Sequence, residues 1–168
     1  MRMSEGVEWG MHAVVLLALI PEGTALPAAR IAEFHGVTAP YLAKHLQTLA
    51  RAGILEAVPG ARGGYRLGRP AAEIRVVDVV EAIDGPSSAF RCTDIRRRGP
   101  AAGPASDYTA PCAIHAVMIR ADAAWRAELA RTTAADLAAS VLTTSSPDSL
   151  ARGIEWLIRI GAVREEAS

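Results

Sequence analysis

Two cysteines, Cys92 and Cys112, are the most reactive groups in this 168-residue chain. In a chain read as cytoplasmic, an isolated pair suggests metal binding or redox chemistry more than a structural staple. Cys112-x-x-His115 places an imidazole one helical turn from a thiol. Glu8 and His12 are four apart and share one helix face. By spacing alone they read as an exposed helix carboxylate and a satisfied interface histidine. The sequence offers no nucleophile–base–orienter set, phosphate loop or nucleotide fingerprint, so an enzyme is not expected.

A second chemistry is nucleic-acid binding. The formal net charge is zero, but Gly36 to Arg75 carries six positive side chains against two negative, net +4. A local basic face of this kind is compatible with a phosphate backbone. Within it, Thr38, Tyr41, Lys44, His45, Gln47 and Thr48 populate one short segment with donors that can read base edges. Arg62, Arg66 and Arg69 flank a glycine-rich stretch, where Gly63 and Gly64 permit a tight tip and close backbone approach.

The elements that must position these groups follow from periodicity and punctuation. Ser4 to Ile20 reads as an amphipathic helix that Pro21-Glu22-Gly23 ends. Its apolar run, Met11 to Ile20, is not expected to be a secretory signal, because Glu5 and Glu8 stand where positive charge is needed. No run is long enough to span a bilayer, so no membrane partner is expected. Ala28 to His35 and Ala39 to Ala52 are two helices joined by Gly36-Val37, with Thr38 as N-cap and Pro40 in the first turn. Ile54 to Val58 and Tyr65 to Leu67 form a hairpin, and Val76 to Ile83 a further helix. Helix-turn-helix followed by a basic hairpin is the winged-helix layout.

Ser87 to Pro111 shifts to Pro, Gly, Ser and Ala with three consecutive arginines, Arg96 to Arg98, and reads as a loop. Cys112 to about Arg131 is a long helix, and Thr132 or Thr133 caps another through Leu142. A last amphipathic helix carries Leu150, Ile154, Leu157 and Ile158. Trp125 and Trp156 are expected in core or dimer packing. The expected organisation is a winged helix-turn-helix domain over residues 1–85, a cysteine loop over 86–111, and a dimerisation helix with C-terminal helices over 112–168. The fold class is mostly α with a small β-hairpin wing.

The stretch AGILEAVPGARGGYRLGRPAAEIRVVDVVEAIDG, Ala52 to Gly85, resembles the wing and following helix of the IscR/NsrR/RsrR family of winged-helix regulators. Its elements are G-A-R-G-G-Y-x-L, then R-P, then I-x-V-x-D-V-V-x-A-I-x-G. The segment IAEFHGVTAPYLAKHLQTLARAGIL and the later TTAADL also match that family's layout.

The resemblance implies a homodimer on a double-stranded DNA operator, with no small-molecule substrate. It implies a transcription regulator, repression being the expected sign, often controlled by an iron–sulfur cluster. Many members carry three cysteines in the loop, whereas this chain has Cys92 and Cys112 with none between. That departure resembles a redox-sensing branch with a [2Fe–2S] cluster, held by two cysteines and by a histidine and a glutamate from the first helix of the other subunit. Glu8, His12, Cys92 and Cys112 stand at the corresponding places. His115 is the rival for the fourth ligand. Histidine in place of cysteine raises a cluster's potential, and a carboxylate is an unusual, harder ligand. As redox-switch residues, Trp9, between Glu8 and His12, is expected to repack when the cluster's charge changes, and His35 to serve as a hydrogen-bond partner or proton acceptor. The alternative is a cluster-free regulator of the same fold, switched by thiol oxidation or a partner protein.

Overall fold

Apolar side chains at helical spacing form α1 (Glu5–Ala18), whose Ala13, Val14, Leu16 and Leu17 are buried at the centre of the core. The computed structural model describes residues 3–60, 63–88 and 90–164. Two glycines in α1 trade helix propensity for close packing. A Cβ on Gly6 would collide with the His45 imidazole, and one on Gly10 would meet the Ile83 and Leu49 side chains.

Helix α2 (Ala28–His35) ends at Gly36, whose φ of 66° is the left-handed cap that glycine adopts without strain. Helix α3 (Ala39–Arg51) follows after the short turn, with Pro40 in its first turn. Thr38 holds the N-cap position, but its side chain makes no capping bond. Leu42, Leu46 and Leu49 point α3 inward against α1.

The hairpin pairs β1 (Leu55–Val58) with β2 (Gly64–Leu67) antiparallel, from Leu55↔Leu67 to Val58↔Gly64. Leu26 adds a bridge beyond β2. Its N–H donates to the Tyr65 carbonyl at 2.9 Å, and the Tyr65 N–H donates back at 2.8 Å. Gly64, at φ 153°, lies so close to the Leu26 carbonyl that any Cβ would collide with it.

Helix α4 (Val76–Asp84) leads into the cysteine loop, which holds two short 3₁₀ turns, Ile95–Arg97 and Ala105–Tyr108. Helix α5 (Ala113–Leu129) buries no residue and exposes Ile114, Val117, Met118 and Ile119. Arg126 ties it back to α4. The guanidinium pairs with Glu81 and with Asp122 at 2.9 Å, and donates to the Pro86 and Ser87 carbonyls at 3.0 and 3.2 Å.

Helix α6 (Ala134–Thr144) begins with a Thr133/Asp136 capping box, as the threonine pair predicted. Helix α7 (Pro147–Arg159) returns to the helix-turn-helix. Its Trp156 donates Nε1–H to Glu33 at 3.3 Å and packs edge-on against Phe34, ring centroids 5.1 Å apart. Ala134, Leu157 and Ala162 join Ile31, Leu42, Leu46, Leu49 and Ile74 in one core, so the last third of the chain shares the interior of the first. Trp156 flanks that core, whereas half-buried Trp125 donates to Asp122 at 3.1 Å. Among the described residues, no helix is long and apolar enough to cross a membrane.

Candidate functional site

The outward face of α3 carries Tyr41, Lys44 and Gln47, with Thr38 at its start, all exposed. Thr48 is half-buried and spends its hydroxyl proton on the Lys44 carbonyl at 3.1 Å. Thr38, Tyr41, Lys44 and Gln47 thus leave their polar groups open to solvent on this face.

His45 departs from that expectation. It is only 9% exposed and lies on the Leu42–Leu49 side of α3, against the backbone of Gly6. The reason is helical geometry: position 45 is three residues past Leu42 and four before Leu49, inside the apolar stripe. Burial, then the nearby Lys44 charge, hold its pKa below the ordinary histidine value, with Asp84 opposing. Its Nε2 is buried without a hydrogen-bond partner.

The wing cations are partnered within the chain. Arg66 forms a bidentate pair with Glu56, its cross-strand neighbour, at 3.0–3.1 Å. Arg69 reaches Asp78 at 2.9 Å. The Arg66 pair is exposed, so solvent screens it and a phosphate can compete for the guanidinium. Gly63 and Gly64 make their close approaches to this chain's own backbone, at Val58 and Leu26. Arg62 lies outside the described residues.

Helix α1 links its surface to the helix-turn-helix through two series of rings. Trp9 stands edge-on to Tyr41 at 4.9 Å, and Tyr41 to His45 at 4.8 Å. On the other side, His12 meets His35 at 5.4 Å, and His35 meets Phe34 at 5.0 Å. His35 is pushed down to a pKa of about 4, first by burial and then by repulsion from His12, while the His12 backbone pulls it up. Its Nε2 is buried and unpartnered. Glu8 and His12 are exposed and border a depression of about 420 Å³ lined by Val7, Met11, Val80 and Leu129.

The cysteines lie elsewhere in the protomer. Cys92 is exposed and Cys112, at the N-cap of α5, is half-buried; both are free thiols. Cys92 Sγ accepts the Asp94 N–H at 3.4 Å. His115 faces Phe90, ring centroids 6.1 Å apart, with its Nδ1 buried and unpartnered. Among the described residues, no three His, Cys, Asp or Glu side chains converge as a metal site. Of the four expected ligands, Glu8 and His12 border the same depression, and no third such side chain joins them as a metal site among the described residues.

Sequence reasoning missed Phe34, which joins His35 to α7, and the arginine–tyrosine contacts inside the cysteine loop. It also missed the His45–Gly6 contact, for which a signal was present. Gly6-x-x-x-Gly10 sets two glycines one turn apart in a helix, a mark of close approach on that face.

Solved structures share this architecture. The global cysteine regulator CymR of B. subtilis matches with a TM-score of 0.66 at 24% identity, over 83% of this chain and 98% of that one. The oxidized form of CymR from Staphylococcus aureus matches with a TM-score of 0.61 at 28% identity, over 82% and 96%. IscR of T. potens matches with a TM-score of 0.65 at 20% identity, over 90% and 96%. The helix-turn-helix and its hairpin are accordingly a winged-helix fold. A family model described as iron-dependent transcriptional regulator covers residues 3–140, and the chain belongs to this family, Rrf2.

Proposed function

We propose that the chain is a homodimeric repressor of the RsrR-like, redox-sensing kind. In this reading it binds an operator in double-stranded DNA and holds a [2Fe–2S] cluster between subunits. Cys92 and Cys112 come from one protomer, and Glu8 and His12 from α1 of the other. The observation that carries the reading is on α1. Glu8 and His12 face outward there, while Trp9 between them touches Tyr41 of the DNA-facing helix.

The donor chemistry fits such a group. Two free thiols supply the ligands that cluster iron prefers, and the Asp94 N–H already donates to one sulfur. The exposed His12 and Glu8 supply an imidazole and a carboxylate. The apolar row Ile114, Val117 and Met118 on α5 supports pairing with a second copy. When bound, the group supplies reversible one-electron exchange. The residues of this chain transmit it. Trp9 bears on Tyr41 in α3, and His12 on His35 in α2, so a shift of α1 reaches both helices of the DNA-binding motif. Tyr41, Lys44, Gln47, Thr48 and Thr38 then meet DNA with Arg66 and Arg62 of the wing.

A second reading rests on the accessibility of Cys92 and the free state of both thiols. In it the regulator carries no cluster and is switched by thiol oxidation or a partner protein. His115, with its unpartnered nitrogen one turn from Cys112, is the alternative fourth ligand.

The test is the visible spectrum of protein purified without oxygen, before and after dithionite. Bands that bleach and return in air, with about two irons per cluster, support the first reading. Colourless, iron-free protein that resists reconstitution leaves the second. In coloured protein, Glu8→Ala and His115→Ala separate the two ligand sets by which one alters the spectrum.

A further inference from the structure

Three consecutive arginines, Arg96 to Arg98, follow Cys92 after one short turn, and two of them fold back into the cysteine loop. Asp94, held at φ 48°, accepts Arg96 Nε and Arg97 Nε on its two carboxylate oxygens, each at 2.6 Å. Both guanidiniums lie over the Tyr108 ring, 5.2 and 5.1 Å from its centroid. The Tyr108 hydroxyl donates to the Arg96 carbonyl at 3.1 Å and accepts the Gly103 N–H at 2.8 Å. Arg96 Nη2 then donates to the Ala110 carbonyl at 2.6 Å, two residues before Cys112. The residues just after the first cysteine are thereby tied to those just before the second.

We propose that Arg96 and Tyr108 are positioning residues, which close this loop ahead of any metal by tying the segment after Cys92 to the segment before Cys112. The Asp94 that anchors Arg96 also gives its N–H to Cys92 Sγ, so one residue serves both the clasp and the sulfur. Arg96 is held above its ordinary pKa chiefly by the hydrogen bond to Asp94, against the cost of desolvation. The charge of Asp94, then those of Cys112 and Cys92, add to the effect. A loop closed beforehand spares the ligands the ordering entropy that metal binding would otherwise have to supply. The inference rests on the proposed two-thiol ligand pair, but not on what that pair holds.

The test uses the full-length, metal-free protein titrated with cadmium(II), read by sulfur-to-cadmium absorption, with helical content and molecular mass as controls. Arg96→Gln and Tyr108→Phe each weaken cadmium binding roughly ten- to a hundredfold, the effect of losing groups that orient metal ligands. Arg96→Lys keeps the charge but cannot span Asp94 and Ala110 with a planar fork, and recovers only part of the loss. In iron-loaded protein, Arg96→Gln makes reduction harder, whereas Tyr108→Phe, which retains the cation, shifts the midpoint less. Cadmium affinity equal to wild type in both folded variants overturns the proposal. Because cadmium needs only the thiols, a protein that binds it as expected yet never forms an iron–sulfur chromophore refutes the cluster and leaves the clasp standing.

Discussion

The indole of Trp9 meets the phenol of Tyr41 edge to face, 4.9 Å between centroids at an interplanar angle of 79°. Trp9 sits between Glu8 and His12 on α1, and Tyr41 belongs to the exposed side of α3. One ring contact thus joins the proposed ligand face to the proposed reading face. Such a pair contributes about 1 kcal/mol beyond the area it buries. Trp9→Leu should lower stability by about 1–2 kcal/mol. It should also shrink the difference in operator affinity between oxidised and reduced protein. Anaerobic binding titrations in both states check this, and an undiminished difference removes Trp9 from the switch.

Gly6 leaves the space that the His45 ring fills. Gly6→Ala should therefore destabilise the fold by about 1–3 kcal/mol through overpacking, despite alanine's better helix propensity. His45→Ala in the same chain should relieve part of that cost. A double-mutant cycle by urea denaturation reads the coupling, and strictly additive effects would contradict the contact.

The same histidine sets a pH dependence. Its folded pKa is lowered, so the unfolded chain takes up the proton first as pH falls. The stabilising contribution is present above the ordinary histidine value of about 6.5 and is lost below it, by at most about 1.4 kcal/mol per pH unit. His45→Gln should flatten the stability curve below that pH. Denaturation midpoints measured from neutral to mildly acidic pH, wild type against variant, decide the matter.

Arg126 is the tie between α5 and the end of α4, pairing with Glu81 and Asp122 and donating to two carbonyls. Arg126→Met keeps much of the stem but strands these acceptors. A loss of about 2–3 kcal/mol follows from leaving partly buried groups without their charged partner. If α5 forms the dimer, dissociation measured by sedimentation should rise with it. A variant as stable and as tightly associated as wild type would show that the other contacts of α5 suffice.

Local signals made most of the fold legible. The apolar stripe of α1, the Gly36 stop, Pro40 in the first turn of α3 and the Thr133 cap each act within a few residues, and each element lies where they place it. The alternation and glycines around Tyr65 did the same for the wing. Contacts between distant segments were less visible. Nothing near Tyr108 says that two arginines a dozen residues earlier will cover its ring, and nothing near Glu33 announces Trp156. The burial of His45 was readable from its place between Leu42 and Leu49, but its polar side chain and neighbouring lysine favoured an outward assignment. As for the candidate ligands, spacing alone placed Glu8 and His12 on one face, and only the family resemblance joined them to the cysteines.

The match to the family ends at residue 140, while α7 spans Pro147–Arg159 and lies against α2. Helix α2 is eight residues long and buries only Ile31 and Ala32, so it has little grip of its own. It is held from both sides, by His12 against His35 and by Trp156 against Phe34 and Glu33. Any tilt of α2 must either drag α7 along or break that contact. The last helix is in effect a strut under the helix-turn-helix, and in the proposed switch its stiffness would set how far a push from α1 could swing that motif. A chain shortened to the family's boundary would keep Glu8 and His12 on α1 but lose the support that holds α2 from the other side.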